Sequence, residues 1–212
     1  MTDRTSNMFL VDQIRIAQEL SQVRDDIIHM FPYGSRVYGT HSYDSDYDFI
    51  IVYGGEDKSK DAQQYDSHSK DLSVTMYHID SWKEHLANHK IFAMECQSYG
   101  FMEPSKIDLP LLRKEISSKA SNSWVKCKKK LELHDEYYIG IKSLFHSFRI
   151  PMFGIQLAKH GRIINFAEAN HMWFNEFEPM LHSRPMWEEI KAQYQPRHNA
   201  LMTEFRKYAE KA

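Results

Sequence analysis

The chain has 212 residues, of which 42% are hydrophobic and 26% charged, and its formal net charge is -2. This composition is typical of an ordinary globular protein and excludes a disordered chain, a collagen and a coiled coil. A net charge so near zero argues against a protein that coats nucleic acid without specificity. The two cysteines form no Cys-x-x-Cys pair, and no signal peptide or membrane span is recognisable, so we expect a cytoplasmic protein without disulfides or zinc.

The first half of the chain carries both helix and strand patterns. Apolar periodicity predicts a helix over 9–24 and strands over 26–31, 46–53 and 71–79. The polar segment 54–70 predicts a mobile loop, and Asp80 with Ser81 predicts the cap of a helix over 82–89.

The second half carries helical periodicity almost throughout. Helices are predicted over 91–99, 108–120, 122–148, 151–160, 166–178, 186–194 and 197–210, with Pro151 as a break and Gly161 as a C-cap. The pattern predicts an α+β protein in which a small mixed sheet with flanking helices (1–105) precedes an all-helical domain (106–212). A groove between these halves is the expected ligand site.

Two aspartates, Asp46 and Asp48, open the second predicted strand and project from one face of it. An isolated Asp-x-Asp is more often a feature of an exposed edge strand, but the following "FIIV" indicates a buried, central one. Two carboxylates held close together there repel, so either one is protonated or both bind a cation, and Mg²⁺ or Mn²⁺ prefers such oxygen ligands. Carboxylate pairs that hold one or two metals serve in-line phosphoryl and nucleotidyl transfer.

A glycine-containing turn precedes this pair, and Gly34 stands twelve residues before Asp46. Gly34 permits close approach of a ligand to the main chain, and Ser35 adds a hydroxyl and a backbone N–H, which suits a phosphate-binding turn. Arg36, beside the turn, would steer a triphosphate by its charge.

The stretch "YGSRVYGTHSYDSDYDFIIV", residues 33–52, resembles the signature of the DNA polymerase β-like nucleotidyltransferase superfamily. Within it, "GSRVYGT" and "SDYDF" resemble the variant found in predicted bacterial and phage nucleotidyltransferases and in minimal nucleotidyltransferases, and 142–170 resembles their helical half. The resemblance implies that Gly34 and Ser35 hold the triphosphate of an NTP and that Asp46 and Asp48 bind the metals. It also implies a third carboxylate, on the next strand, that binds metal or helps to deprotonate the acceptor.

The third carboxylate has more than one candidate. Asp71 opens the next predicted strand and shares a face with Ser73, so Asp71 is the predicted catalytic carboxylate, as third metal ligand or as base. An alignment shifted by two residues would place Ser73 there instead, with weakened catalysis or help from Glu95.

A basic stripe is predicted on one helix, where Lys142, His146 and Arg149 follow a spacing of four and three residues. If this stripe faces the groove, Lys142 and Arg149 contact phosphates and all three bind the nucleotide. The alternatives are a solvated face and a structural histidine. The run "KCKKK", 126–130, is similarly either a solvated face or a contact for RNA.

The sequence thus predicts an Mg²⁺- or Mn²⁺-dependent nucleotidyltransferase that transfers NMP from an NTP to an acceptor hydroxyl and releases pyrophosphate. The acceptor is an RNA, a protein or a small molecule, and nothing in the sequence selects among them or predicts the base or the oligomeric state. The alternative is an inert nucleotide-binding or antitoxin-like regulatory protein.

Overall fold

The computed structural model describes residues 26–66, 71–100 and 106–210. The helix predicted over 9–24 lies outside these residues. In the described part, the strands are confined to residues before 79, and the regular elements that follow are helical. The predicted α+β architecture is therefore confirmed.

Four strands form one mixed sheet in the order β1-β2-β4-β3. Their bounds are Ile27–Tyr33 for β1, Tyr47–Tyr53 for β2, Gln63–Asp66 for β3 and Leu72–His78 for β4. β2 is paired on both sides, antiparallel to β1 and parallel to β4, which explains its unbroken apolar run. The three predicted strands are confirmed within one or two residues at their ends.

The fourth strand, β3, corrects the prediction of a loop over 54–70. It pairs antiparallel with β4 at the edge of the sheet, and only Tyr65 among its residues is even half-buried. An edge strand needs no apolar face, so the polar sequence "QQYD" gave no strand signal.

The two faces of the sheet carry different side chains. Phe49 and Ile51 lie on one face with Val74 and Met76 of β4, and Ile50 and Val52 lie on the other. This second face is covered by helices α2 (Ile79–Ala87) and α3 (Ile91–Tyr99). Asp48 alternates with Phe49, so it belongs to the helix-covered face.

Helix α2 begins three residues earlier than predicted, and the cap differs. The imidazole Nδ1 of His78 accepts the backbone N–H of Asp80 at 3.2 Å, so His78 is the N-cap and not Asp80 or Ser81. Helix α3 has the predicted bounds.

Three long helices replace five of the predicted ones, and the predicted helix over 122–148 is interrupted between Glu132 and Tyr137. They are α4 (Leu109–Glu132), α5 (Tyr137–His160) and α8 (Trp187–Tyr208). The predicted break at Pro151 is wrong, because Pro151 lies inside α5, as Pro196 does inside α8. An interior proline costs about 3 kcal/mol, and burial of apolar side chains on both sides, Ile150 and Phe153 in α5, offsets this cost. The predicted cap at Gly161 is confirmed by its left-handed backbone.

Between α5 and α8 the chain forms three short helical pieces instead of the single predicted helix. They are α6 (Asn170–Met172), a π-helical segment (Trp173–Phe177) and α7 (Glu178–Ser183). A π-helical turn shifts the direction of the side chains that follow it, and such turns occur often at functional sites.

The sheet half and the helical half share a hydrophobic core. Tyr38 and Met94 from the first half pack with Leu112, Ile116 and Phe153 from the second. A second core lies within the helical half, around Phe148 and Phe177. In the described residues, no helix is both long and apolar enough to cross a membrane.

Candidate active site

The glycine turn joins β1 to the short helix α1 (Ser35–Tyr38) and lies directly against β2. Gly34 has a φ of 76°, and a Cβ atom added there would stand 2.0 Å from Oδ2 of Asp48. Only glycine fits this position, because a side chain would both strain the backbone and collide with the carboxylate. The turn and the carboxylate therefore form one compact unit.

Asp48 is the better placed carboxylate of the predicted Asp46–Asp48 pair. Burial, and then the charge of Asp46, raises its pKa from 3.8 to about 6, while Lys142 and Arg36 act in the opposite direction. A carboxylate whose charge is destabilised in this way favours a bound cation. Asp46 is exposed just before β2, close enough for its charge to reach Asp48.

Arg36 holds the loop that carries Asp46. Its guanidinium donates from Nη2 to the carbonyl of Ser45 at 2.5 Å and from Nε to the carbonyl of Asp46 at 3.2 Å. It also stacks 3.7 Å from the ring centre of Tyr47. Arg36 therefore stabilises the loop before β2, a structural role that the sequence did not reveal.

The register of β2 and β4 locates the candidates for the third carboxylate. Ser73 lies directly opposite Asp48. Asp71 precedes β4, and its carbonyl accepts the N–H of Tyr47 at 2.8 Å, so Asp71 is level with Asp46. The position beside Asp48 is thus occupied by a hydroxyl rather than a carboxylate.

Sequence reasoning missed Asp66, which lies at the end of β3 opposite Ser73. Its charge contributes to the raised pKa of Asp48, and Gln64 donates to both Asp66 and Ser73. No signal in the polar segment 54–70 could have found it, since the pairing of β3 with β4 brings it here. Among the described residues, no group of three His, Cys, Asp or Glu side chains could hold a metal ion.

Glu95 lies on α3 in a buried cluster with Tyr38 and Arg149. Tyr38 donates its hydroxyl to Oε2 of Glu95 at 2.6 Å, and Nη2 of Arg149 lies 3.7 Å from Oε1. The Arg149 guanidinium covers the ring of Tyr38 at 3.4 Å. Burial raises the pKa of Glu95, and Arg149 and Tyr38 counteract it. Glu95 is therefore engaged with a cation of the protein itself.

Arg149 is only 4% exposed, yet its Nε and Nη1 atoms are buried without a hydrogen-bond partner. Unpaired buried donors of a charged group are costly, and they favour an anionic or polar ligand beside them.

Most residues of the predicted site line one cavity of about 340 Å³. Its walls include six predicted residues, namely Gly34, Ser35, Asp48, Lys142, His146 and Arg149. The predicted face of α5 is therefore directed into the cavity and not into solvent. Asp46, Arg36 and Asp71 do not line it, and Glu95 does.

Aromatic residues of the helical half also line the cavity, and sequence reasoning assigned them no role there. They are Tyr138 and Phe145 of α5 and Trp173 of the π-helical segment. The spacing of Tyr138, Lys142 and Phe145 on one helix face was a usable signal. Trp173 gave none, because its position depends on the π-helical turn.

Comparison with known proteins identifies a family for the first half of the chain. A family model described as "Nucleotidyltransferase domain" matches residues 13–121, just over half of the chain. A solved structure titled as a nucleotidyltransferase-like protein from Exiguobacterium sibiricum 255-15 has 12% identity and a TM-score of 0.34, and the match covers 92% of this chain and 76% of that one. A TM-score this low supports no argument, and no curated protein matches. On the strength of the family model, this chain belongs to the nucleotidyltransferase-domain family of the DNA polymerase β-like superfamily.

Proposed function

We propose that this protein is a divalent-metal-dependent enzyme that transfers NMP from an NTP to an acceptor hydroxyl. The observation that carries the proposal is the contact of Gly34 with Asp48 at the wall of a cavity that also contains Lys142 and Arg149. The family supports NMP transfer in general, while the metal, the roles of the residues and the acceptor belong to the proposal.

The residues fit a hard divalent cation. Asp46 and Asp48 would hold Mg²⁺ or Mn²⁺, which would neutralise charge on the phosphate oxygens and on the attacking oxygen. Burial, and then repulsion by Asp46, raises the pKa of Asp48, and a bound cation would compensate both effects, which supports this assignment.

The phosphates would be held by the protein's own donors. Gly34 and Ser35 would bind the β- and γ-phosphates, and Lys142 and Arg149 would supply positive charge. The unpaired Nε and Nη1 atoms of Arg149 support this role. Arg36 would add positive charge near the turn, since it acts electrostatically on Asp48.

In the reaction we propose, the acceptor oxygen attacks the α-phosphorus and the bond to the bridging oxygen of pyrophosphate breaks. The acceptor proton passes to a carboxylate, for which we keep Asp71 as the candidate. Its position level with Asp46 supports this choice, whereas Glu95 is already engaged with Arg149.

Two further predictions stay proposals. We assign residues 1–105 to a catalytic domain and 106–212 to a helical substrate-binding domain, which agrees with the confinement of the described strands to the first half. We assign the protein to the cytoplasm, which agrees with two buried free cysteines, Cys96 and Cys127.

The test is label transfer from each α-³²P-labelled NTP, with Mg²⁺ or Mn²⁺ and a cell extract. Wild type should label an acceptor and release pyrophosphate, and Asp46→Ala/Asp48→Ala should do neither. The size and nuclease or protease sensitivity of the product will separate RNA, protein and small-molecule acceptors.

One observation favours a second function, an inert nucleotide-binding or regulatory protein: Ser73 stands where a carboxylate beside Asp48 would be expected. That function predicts metal-dependent NTP binding without pyrophosphate release in any extract. Binding without turnover would therefore favour the regulatory function over the enzyme.

A further inference from the structure

His146 occupies a chemically unusual place in the cavity. Its Nδ1 atom is buried without a hydrogen-bond partner, although the ring lines the cavity. The charged groups that act on it are all cations: Arg149 and Lys142 of its own helix and Lys126 of α4. Burial and these cations lower the pKa of His146 well below 6.5, so the imidazole is neutral at physiological pH.

A neutral imidazole is poorly suited to a phosphate and well suited to a nucleobase. It offers one donor and one acceptor but no charge. The same face of α5 already supplies two cations for phosphates, Lys142 and Arg149. The edge of a base presents donors and acceptors in a plane, and the neutral ring of His146, which lines the cavity, can pair with them through its one donor and one acceptor.

The surroundings of His146 are those of a site for a planar ring. Tyr138, Phe145 and Trp173 line the same cavity. Phe145 and Trp173 are only 2% and 5% exposed and pack on each other at 5.4 Å, so they form an apolar floor, and Tyr138 offers the ring on which a base can stack. Tyr138 is 50% exposed, with the Nζ atom of Lys142 at 5.2 Å from its ring centre. Aromatic side chains stack on all four bases with similar strength, so a polar neighbour is needed to select one base over another.

We propose that His146 hydrogen-bonds the base of the bound NTP, within an aromatic wall formed by Tyr138, Phe145 and Trp173. The inference rests on the proposed function. The hydrogen bond from His146 would orient the nucleotide. The triphosphate would lie at Gly34, Ser35 and Arg149, and the base would lie against α5 and the π-helical segment. His146 is then a specificity-determining residue and not a phosphate contact.

The test compares ligands with and without a base, in the absence of acceptor. Calorimetry with Mg²⁺ measures the affinities of ATP, GTP, CTP, UTP and inorganic tripolyphosphate for wild type and His146→Ala. Losing one neutral hydrogen bond should weaken the preferred NTP about 3- to 10-fold. The affinity for tripolyphosphate should change less than about twofold, within ordinary error, and the preference among the four NTPs should narrow.

Three further variants make the result specific. His146→Asn, which keeps a polar atom near the place of Nδ1, should retain more NTP affinity than His146→Ala. His134→Ala, at an exposed histidine between α4 and α5, should change nothing. Arg149→Met should weaken tripolyphosphate and NTP alike.

The outcomes separate this inference from the function on which it rests. If wild type binds neither tripolyphosphate nor any NTP, the proposed function fails and the inference fails with it. If wild type binds NTPs and His146→Ala weakens tripolyphosphate equally, or weakens no NTP, the inference alone is overturned. Tripolyphosphate binding by the variant also shows that it is folded.

Discussion

The α-carbon of Gly34 lies so close to the carboxylate of Asp48 that a Cβ atom there would stand 2.0 Å from Oδ2. Gly34 and the carboxylate of Asp48 on β2 are thus in van der Waals contact, although they lie fourteen positions apart in the sequence. Any side chain added at position 34 must therefore displace either the turn or Asp48.

Gly34→Ala should abolish nucleotidyl transfer by displacing Asp48. A displacement of about 1 Å at a reacting centre can cost roughly 100-fold in rate. The loss should appear in kcat, measured by pyrophosphate release at a temperature where the variant is folded.

Gly39→Ala is the matched control for this change. Gly39 has nearly the same φ, 77°, but its added Cβ would meet only the side-chain Nδ2 of Asn170, at 3.2 Å. The two positions differ in ψ: Gly39 is left-handed helical with a ψ of 23°, where an alanine costs about 1 kcal/mol, whereas Gly34 has a ψ of -156°, in a region almost confined to glycine, so Gly34→Ala carries the greater backbone strain. Equal losses of activity in the two would refute the special role of the contact with Asp48.

Asp48→Asn should stabilise the metal-free protein at neutral pH. In the folded protein the pKa of Asp48 is about 6, above its ordinary 3.8, so ionisation is unfavourable for folding. The stability due to this group is complete below about pH 4 and is lost as the pH rises through about 6. Unfolding by urea with a chelator present should show a gain of about 1–3 kcal/mol above pH 7.

The same variant should show little gain at pH 3, which is below both pKa values, so that Asp48 is largely protonated in both states. Asp44→Asn, at an exposed position in the preceding loop, should leave stability nearly unchanged at both pH values. A loss of stability in Asp48→Asn at pH 7.5 would show that its carboxylate is compensated within the protein.

Glu95→Gln should be more destabilising than Arg149→Met. The first leaves a buried guanidinium that cannot lose its proton, at a cost of roughly 3 kcal/mol. The second leaves a carboxyl group whose raised pKa lets it become neutral, so its cost should shrink as the pH falls. Urea unfolding at pH 5.5 and 7.5 measures both effects.

The exposed pair Arg184 and Asp135, whose closest atoms are 3.3 Å apart, supplies the control. Arg184→Met should cost no more than about 1 kcal/mol, since solvent screens such pairs. The double variant Glu95→Gln/Arg149→Met should be less destabilised than the sum of the single changes. Additive losses would mean that the two buried groups do not interact.

Ser73→Asp should give the protein a metal site that is stronger than that of wild type. Ser73 is directly opposite Asp48, so a carboxylate there would be added to the same face of the sheet. With a chelator present the extra negative charge should lower the melting temperature. With Mg²⁺ the melting temperature should rise more than it does in wild type.

Thr75→Asp tests whether position matters. Thr75 shares the face of Ser73 but pairs with Ile50, farther along the strand, so the carboxylate of the Thr75→Asp variant should give no additional response to Mg²⁺.

If Asp71 is the third carboxylate, Asp71→Asn should lose activity, and Ser73→Asp should restore part of it. No rescue, together with an unchanged Mg²⁺ response, would place the metal elsewhere.

Local sequence determined the elements whose chemistry is complete within a short stretch. The glycine turn, the alternation that separates Asp48 from Phe49 and the basic face of α5 all follow from the order of neighbouring residues. The cap at Gly161 also follows from local sequence, because glycine readily adopts the left-handed backbone conformation that ends a helix. The α+β class followed from the same periodicities.

Tertiary structure decided what depends on partners distant in the chain. β3 forms because β4 pairs with it, and α5 continues through Pro151 because its neighbours bury apolar side chains on both sides of the proline. The register that sets Ser73 beside Asp48, the pairing of Glu95 with Arg149 and the cavity position of Trp173 are likewise long-range. Burial and cross-strand pairing outweigh local preference in these places, so the sequence alone could not locate them.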